Sequence, residues 1–171
     1  MLLRILLVVF CLAGAVAPAF AQEPEPEFAM AELTPETARR AFDAYLIIEA
    51  KFADAAFEEY DSLEDFVLRA PEGKELDAAI RAQGFAGVEA WLPIINSVEF
   101  TLGALTDNQE QAVLAQIEEV KADATLEADE KARIVASLEA AIPSDNNRKV
   151  MTDMMADPAY AEKLKSFTSE E

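Results

Sequence analysis

Three thioethers, Met151, Met154 and Met155, lie close together in the stretch MTDMM. At helical spacing they share one side, and soft sulfur ligands suit Cu(I). The same side chains suit a core equally well, because methionine fills irregular gaps and Val150 extends their stripe. Carboxylates offer a second chemistry, in adjacent pairs at Glu58-Glu59, Glu118-Glu119 and Asp129-Glu130. Two carboxyls at the right separation can serve as acid and base on a glycosidic bond. In a chain with 33 acidic residues, however, such pairs arise readily, and each fits a solvated helix face. A third grouping is Asn96 with Glu99, set beside an apolar helix face as a polar spot in a cleft or as the half-exposed edge of that face. Leu92 and Phe100 fall away from the core-facing side of the same helix. Leu92, Asn96, Glu99 and Phe100 together make the candidate interaction set.

Other equipment is missing. The chain has no histidine, and its one cysteine, Cys11, sits inside an apolar N-terminal segment. There is no Asp-x-Asp-x-Asp-Gly calcium loop, no G-x-S-x-G, no P-loop and no G-x-G-x-x-G. No cofactor and no metal site are therefore expected, and the chain reads as a non-enzyme. With 14 basic residues against 33 acidic ones the net charge is −19, which disfavours nucleic acid and anionic lipid heads.

The N-terminus carries an address. MLLRILLVVFCLAGAVAPAFAQ combines Arg4, an apolar stretch from Ile5 to about Val16, and Ala19-Phe20-Ala21 before Gln22. That pattern predicts a signal peptide over 1–21, cleaved after Ala21, and an exported protein, periplasmic or secreted. The apolar stretch is shorter than the roughly 20 residues a span needs, so no membrane span is expected after cleavage. Residues 22–32, beginning QEPEPE, read as a disordered acidic and Pro-containing leader; 33–168 read as one helical domain and 169–171 as a tail.

Apolar residues recur at helical spacing throughout, and no segment alternates with a period of two. The expected fold is all-α, a single-domain bundle of six to eight short helices. Thr34 and Pro35 open the first helix, whose stripe from Ala38 through Phe42, Ile48 and Phe52 predicts an end near Glu58. Ser62 with Asp65 opens a second, ended by Pro71, and a third runs from about Lys74 to Gln83, with Gly84 in the left-handed position past its end. Gly87 permits the next start. The helix that follows presents Trp91, Ile94, Ile95, Val98, Leu102 and Leu105 on one face and is apolar on other sides too, which places it at the centre of the bundle. Pro93 either costs nothing or bends this helix, depending on whether it begins near Ala90 or near Gly87. Thr106 with Gln109 reads as a capping box opening a fifth helix that carries Val113, Leu114, Ile117 and Val120 inside. Helices from about Glu127 to Ala141, from Ser144, and from Asp157-Pro158 to Phe167 complete the set.

Two resemblances attach to these residues. LTDNQ, Leu105 to Gln109, is similar to the LTxxQ motif of the periplasmic Spy/CpxP-type stress chaperones, and LTPET, Leu33 to Thr37, differs from it in the last residue. A hydrophobic staple with a capping box produces the same letters. In layout, the LTPE helix at Leu33 to Glu36, the segment Gly84 to Trp91 and the acidic helix containing Lys131 to Ala141 resemble small exported all-helical proteins of proteobacteria. The second resemblance implies a fold and an address, without an activity. The function expected is a non-enzymatic binding or chaperone-like module with a protein partner. The alternatives are an accessory subunit of an envelope complex and, behind it, a carboxylate-only hydrolase.

Overall fold

The computed structural model describes residues 30–107 and 109–169, with the side chains of 109, 168 and 169 left aside. The signal sequence, its cleavage site and the leader up to residue 29 lie outside the described residues. Eight α-helices, and no strand, occur among them: α1 Pro35–Lys51, α2 Leu63–Arg69, α3 Gly73–Ala82, α4 Val88–Thr106, α5 Gln109–Ala122, α6 Ala128–Ala140, α7 Asp145–Ala156 and α8 Ala161–Ser169. The fold is an all-α bundle, with α4 packed against α1, α2, α3, α5 and α7.

α1 starts where local chemistry says it should. The Thr34 hydroxyl accepts the Thr37 N–H at 3.1 Å, and the Thr37 hydroxyl accepts the Thr34 N–H at 3.0 Å, so two donors that the first turn leaves open are satisfied reciprocally. The threonine standing where LTxxQ has glutamine still closes the box. Small residues Ala38, Ala41 and Ala44 are buried beside Phe42 and Ile48, which lets α4 approach closely. The helix ends at Lys51, short of the expected Glu58. Phe52 is itself buried as the C-cap, and the chain turns over Ala53 and Asp54 into a 3-10 turn at Phe57–Glu59. That turn lays the Phe57 ring 4.4 Å from Phe66 of α2. Periodicity reads Phe52 and Ala56 as one stripe; two aromatics seeking different neighbours break it.

α2 is capped by Ser62, which accepts the Asp65 N–H at 3.1 Å. Between α2 and α3 the backbones nearly touch: a Cβ on Gly73 would strike the carbonyls of Phe66 and Val67, so only glycine fits. Gly84 adopts φ +83°, the left-handed value expected past the end of α3. The Arg40 guanidinium lies directly against it, donating to the Gln83 carbonyl at 2.7 Å and covering the Phe85 ring.

Gly87 is the N-cap of α4, so Pro93 falls inside the helix and the Glu89 carbonyl loses its usual donor. Both residues are exposed, which leaves that carbonyl to water. Trp91, fully buried, donates its indole N–H to the Ala41 carbonyl at 2.9 Å, and Ile95, Val98 and Leu102 continue the buried face. Leu105, expected on that face, is 36% exposed.

The reading of Thr106 as the cap of α5 is overturned. Thr106 is the last residue of α4, and its hydroxyl donates back to the Leu102 carbonyl at 3.0 Å. A threonine late in a helix can reach the carbonyl one turn earlier, and here it does. We expect Thr34→Ala to lower stability by about 0.5–2 kcal/mol as a lost cap, and Thr106→Ala to change it by no more than about 0.5 kcal/mol. Urea denaturation of the two variants checks this, and equal losses would contradict the assignment.

α7 is capped by Ser144, which accepts the Asn147 N–H at 3.1 Å. Asp157-Pro158 forms a turn and not the first turn of a helix: the Asp157 carboxylate accepts the Ala159 N–H, its carbonyl accepts those of Tyr160 and Ala161, and α8 starts at Ala161. α8 is latched to α1 by aromatic edges, Phe167 lying 5.5 Å from Phe42 and 4.7 Å from Tyr45.

Candidate functional site

The four residues singled out from the sequence stand on α4 at 92, 96, 99 and 100, which is the i, i+4, i+7, i+8 spacing of one strip. All four are half-buried. Leu92 packs against the core, and Glu99 and Phe100 are each engaged within the fold. The strip is therefore brought together by the helix, on the side of α4 away from Trp91, with exposed Pro93 at its margin.

A second flank of α4 is polar and fully buried, which the apolar pattern concealed. Ser97 donates to the Pro93 carbonyl at 2.8 Å and accepts the Ala31 N–H at 2.8 Å, while Thr101 donates to the Ser97 carbonyl at 2.6 Å. Asn147 of α7 faces the same segment. Its carboxamide accepts the Leu33 N–H at 2.8 Å and donates to the Ala31 carbonyl at 3.0 Å, so one side chain pairs with two backbone groups of an extended stretch. Asn146 donates to the Leu33 carbonyl and to Glu32 Oε2, both at 2.8 Å. Ordered chain thus begins before Leu33, correcting the leader reading at Ala31 and Glu32: backbone polar groups there find fixed partners. Among the described residues no buried side-chain polar atom lacks a partner.

The methionines resolve into packing. Met151 and Met154 are buried members of the shared core, and Met155 packs on its edge. Carboxylates stay dispersed: among the described residues no three Asp or Glu side chains converge as a metal site would require. A surface cleft of about 360 Å³ opens between α2, α3 and the start of α4, lined by Glu64, Leu68, Asp77, Arg81, Val88 and Glu89. Its central charges are already engaged, since Asp77 pairs with Arg81 at 2.6 Å and accepts the Val88 N–H at 3.3 Å. Leu68 at its rim is 83% exposed.

Two titrations are shifted by their surroundings. Burial, then the hydrogen bond to Asp43 at 3.1 Å, raises the Tyr160 phenol above its ordinary value. The Thr125 hydroxyl and then its backbone N–H, both held by Asp123, lower that carboxyl in the turn between α5 and α6. A depressed carboxyl stabilises the turn above its ordinary range and loses that effect as pH falls through the folded value.

That turn belongs to the element most unlike the rest. α5 and α6 form an antiparallel hairpin, and among the described residues no side chain of either helix joins the core cluster shared by the other elements. Among the described side chains Ile117 alone on α5 is buried, and none on α6 is. Leu114 is 45% exposed, although Val113, Leu114, Ile117 and Val120 were all expected inside. Lys131 closes the hairpin by donating to the Lys121 carbonyl at 3.2 Å, and Glu110 ties it to Arg148 of α7 at 2.8 Å. The chain matches no protein-family model, no curated protein and no solved structure. No helix among the described residues is long and apolar enough to cross a membrane.

Proposed function

We propose that this protein is a non-enzymatic, exported binding module of chaperone-like type, which offers an apolar helical surface to other polypeptides in the periplasm. The observation that carries this reading is the α5–α6 hairpin, whose apolar stripe stands outside the shared core with Leu114 exposed. Exposed apolar surface on an otherwise acidic protein is what a protein-interaction site requires. The resemblance of LTDNQ to LTxxQ chaperones belongs to the same reading, since the Thr106 hydroxyl is turned back to the Leu102 carbonyl of α4. The half-buried strip of Leu92, Asn96, Glu99 and Phe100 is a subsidiary surface on this view.

A photo-crosslinking residue at position 114, compared with one at exposed Ala78 on α3, tests it in the intact envelope. Adducts at 114 and none at 78 are expected. Many products of different size mean chaperone-like capture, and one product of fixed size means an accessory subunit of an envelope complex. Equal labelling at both positions would remove the hairpin from the function.

A further inference from the structure

We infer that the α5–α6 hairpin receives a cationic amphipathic helix from a partner protein, laid along its apolar stripe as the third helix of a small bundle. This deepens the binding reading above and rests on it. Helices of this length are marginal in water unless an apolar face is packed, yet among the described residues the hairpin fully buries one apolar side chain, Ile117. Val113, Val120, Ile134, Val135 and Leu138 are only half-buried.

The open part of the stripe has a definite side. Leu114 precedes Ile117 by three residues, and Val135 precedes Leu138 by three. In an antiparallel pair an equal rotational offset on both helices points to the same face, so Leu114, exposed, and Val135, half-buried, stand on one face of the hairpin. α5 spans 14 residues, so a partner helix of about four turns covers its length.

Charge selects the occupant. Glu110 and Glu118, one turn before and after Leu114, are already paired with Arg148 and Lys121, whereas Glu130, one turn before Ile134, and Glu139, one turn after Val135, are not. Among the described residues Glu119, Glu127, Asp129, Glu130 and Glu139 have no salt-bridge partner, while of the hairpin's three cations Lys121 and Lys131 are turned to Glu118 and to the Lys121 carbonyl and Arg133 is exposed on α6. A helix with lysines or arginines beside its apolar stripe pairs with these carboxylates as it covers Leu114 and Val135, the groove mode of helix recognition. A second copy, carrying the same net charge of −19, or an anionic membrane would bring like charges together.

The test uses the full chain with a fluorescein-labelled synthetic peptide of about 18 residues, leucine and lysine at helical spacing. Its controls are the same composition scrambled and a version with glutamate for lysine. The Leu/Lys peptide should bind about tenfold or more tightly than either control, with affinity falling as salt rises. Leu114→Ser should weaken it about tenfold, and Glu130→Gln with Glu139→Gln about threefold, whereas Glu72→Gln on the far body leaves it unchanged. Trp91 emission should stay the same in every variant, and amide exchange should slow within 109–140 on binding. Equal binding of the glutamate peptide at the hairpin would overturn the cationic partner while leaving the binding reading in place. Protection outside 109–140, or a mass doubling abolished by Leu114→Ser, would overturn it in favour of another site or a second copy. No peptide binding together with no adduct at position 114 would remove both.

Discussion

Trp91→Ala is expected to lower the stability of the fold by about 3–5 kcal/mol, close to the whole margin of a domain this size. The side chain is fully buried between α4 and α1, and its indole N–H holds the Ala41 carbonyl at 2.9 Å. Alanine leaves a cavity that cannot collapse easily, because Ala41, which the indole meets on α1, is too small to fill it. Since Trp91 is the sole tryptophan, wild-type emission should be blue-shifted and move red in one step with the loss of helical circular dichroism. For the variant, circular dichroism against urea gives the comparison. A loss under about 1 kcal/mol would show that α1 and α4 do not depend on this contact.

Asn147→Leu comes next in size. The substitution keeps the branching at Cγ, with bulkier methyl groups, at a site only 1% exposed, and strands the Ala31 carbonyl and the Leu33 N–H without partners. Each stranded group costs about 1–3 kcal/mol. The Leu33 amide should exchange faster with solvent, and the midpoint of urea unfolding should fall. Asn146→Ala, at an exposed position, should cost clearly less. Equal losses from the two would mean that burial of the Asn147 carboxamide is not what fixes the N-terminal segment.

What the sequence could reveal was local. Thr34, Ser62 and Ser144 as caps, Gly84 as a stop and Pro71 as a terminator are decided within one or two turns, and the helices begin and end around them. The centrality of α4 was legible as well, because a helix apolar on several sides has few other places to go. Phe52 and Thr106 misled for a shared reason: a stripe or a motif says which groups lie on one face, while the partner each group takes is chosen by elements far along the chain. Ser97 and Asn147 illustrate the same gap, as small polar residues whose backbone partners are distant in sequence. The candidate strip on α4 followed from spacing. The open face of the hairpin did not, since Leu114 looks alike whether α5 packs on a core or stands beside it.

The grip of Asn147 on Leu33 joins residues separated by 114 positions. Closing so long a loop loses chain entropy before any contact rewards it. The hairpins α2–α3 and α5–α6 need no such closure and can form from their own neighbours, whereas the joining of the two ends waits until α7 is in place. Opening runs in the opposite sense. When α7 lifts, it releases the segment 31–33 together with the Ser97 flank of α4, so two stretches remote in sequence share one unfolding unit.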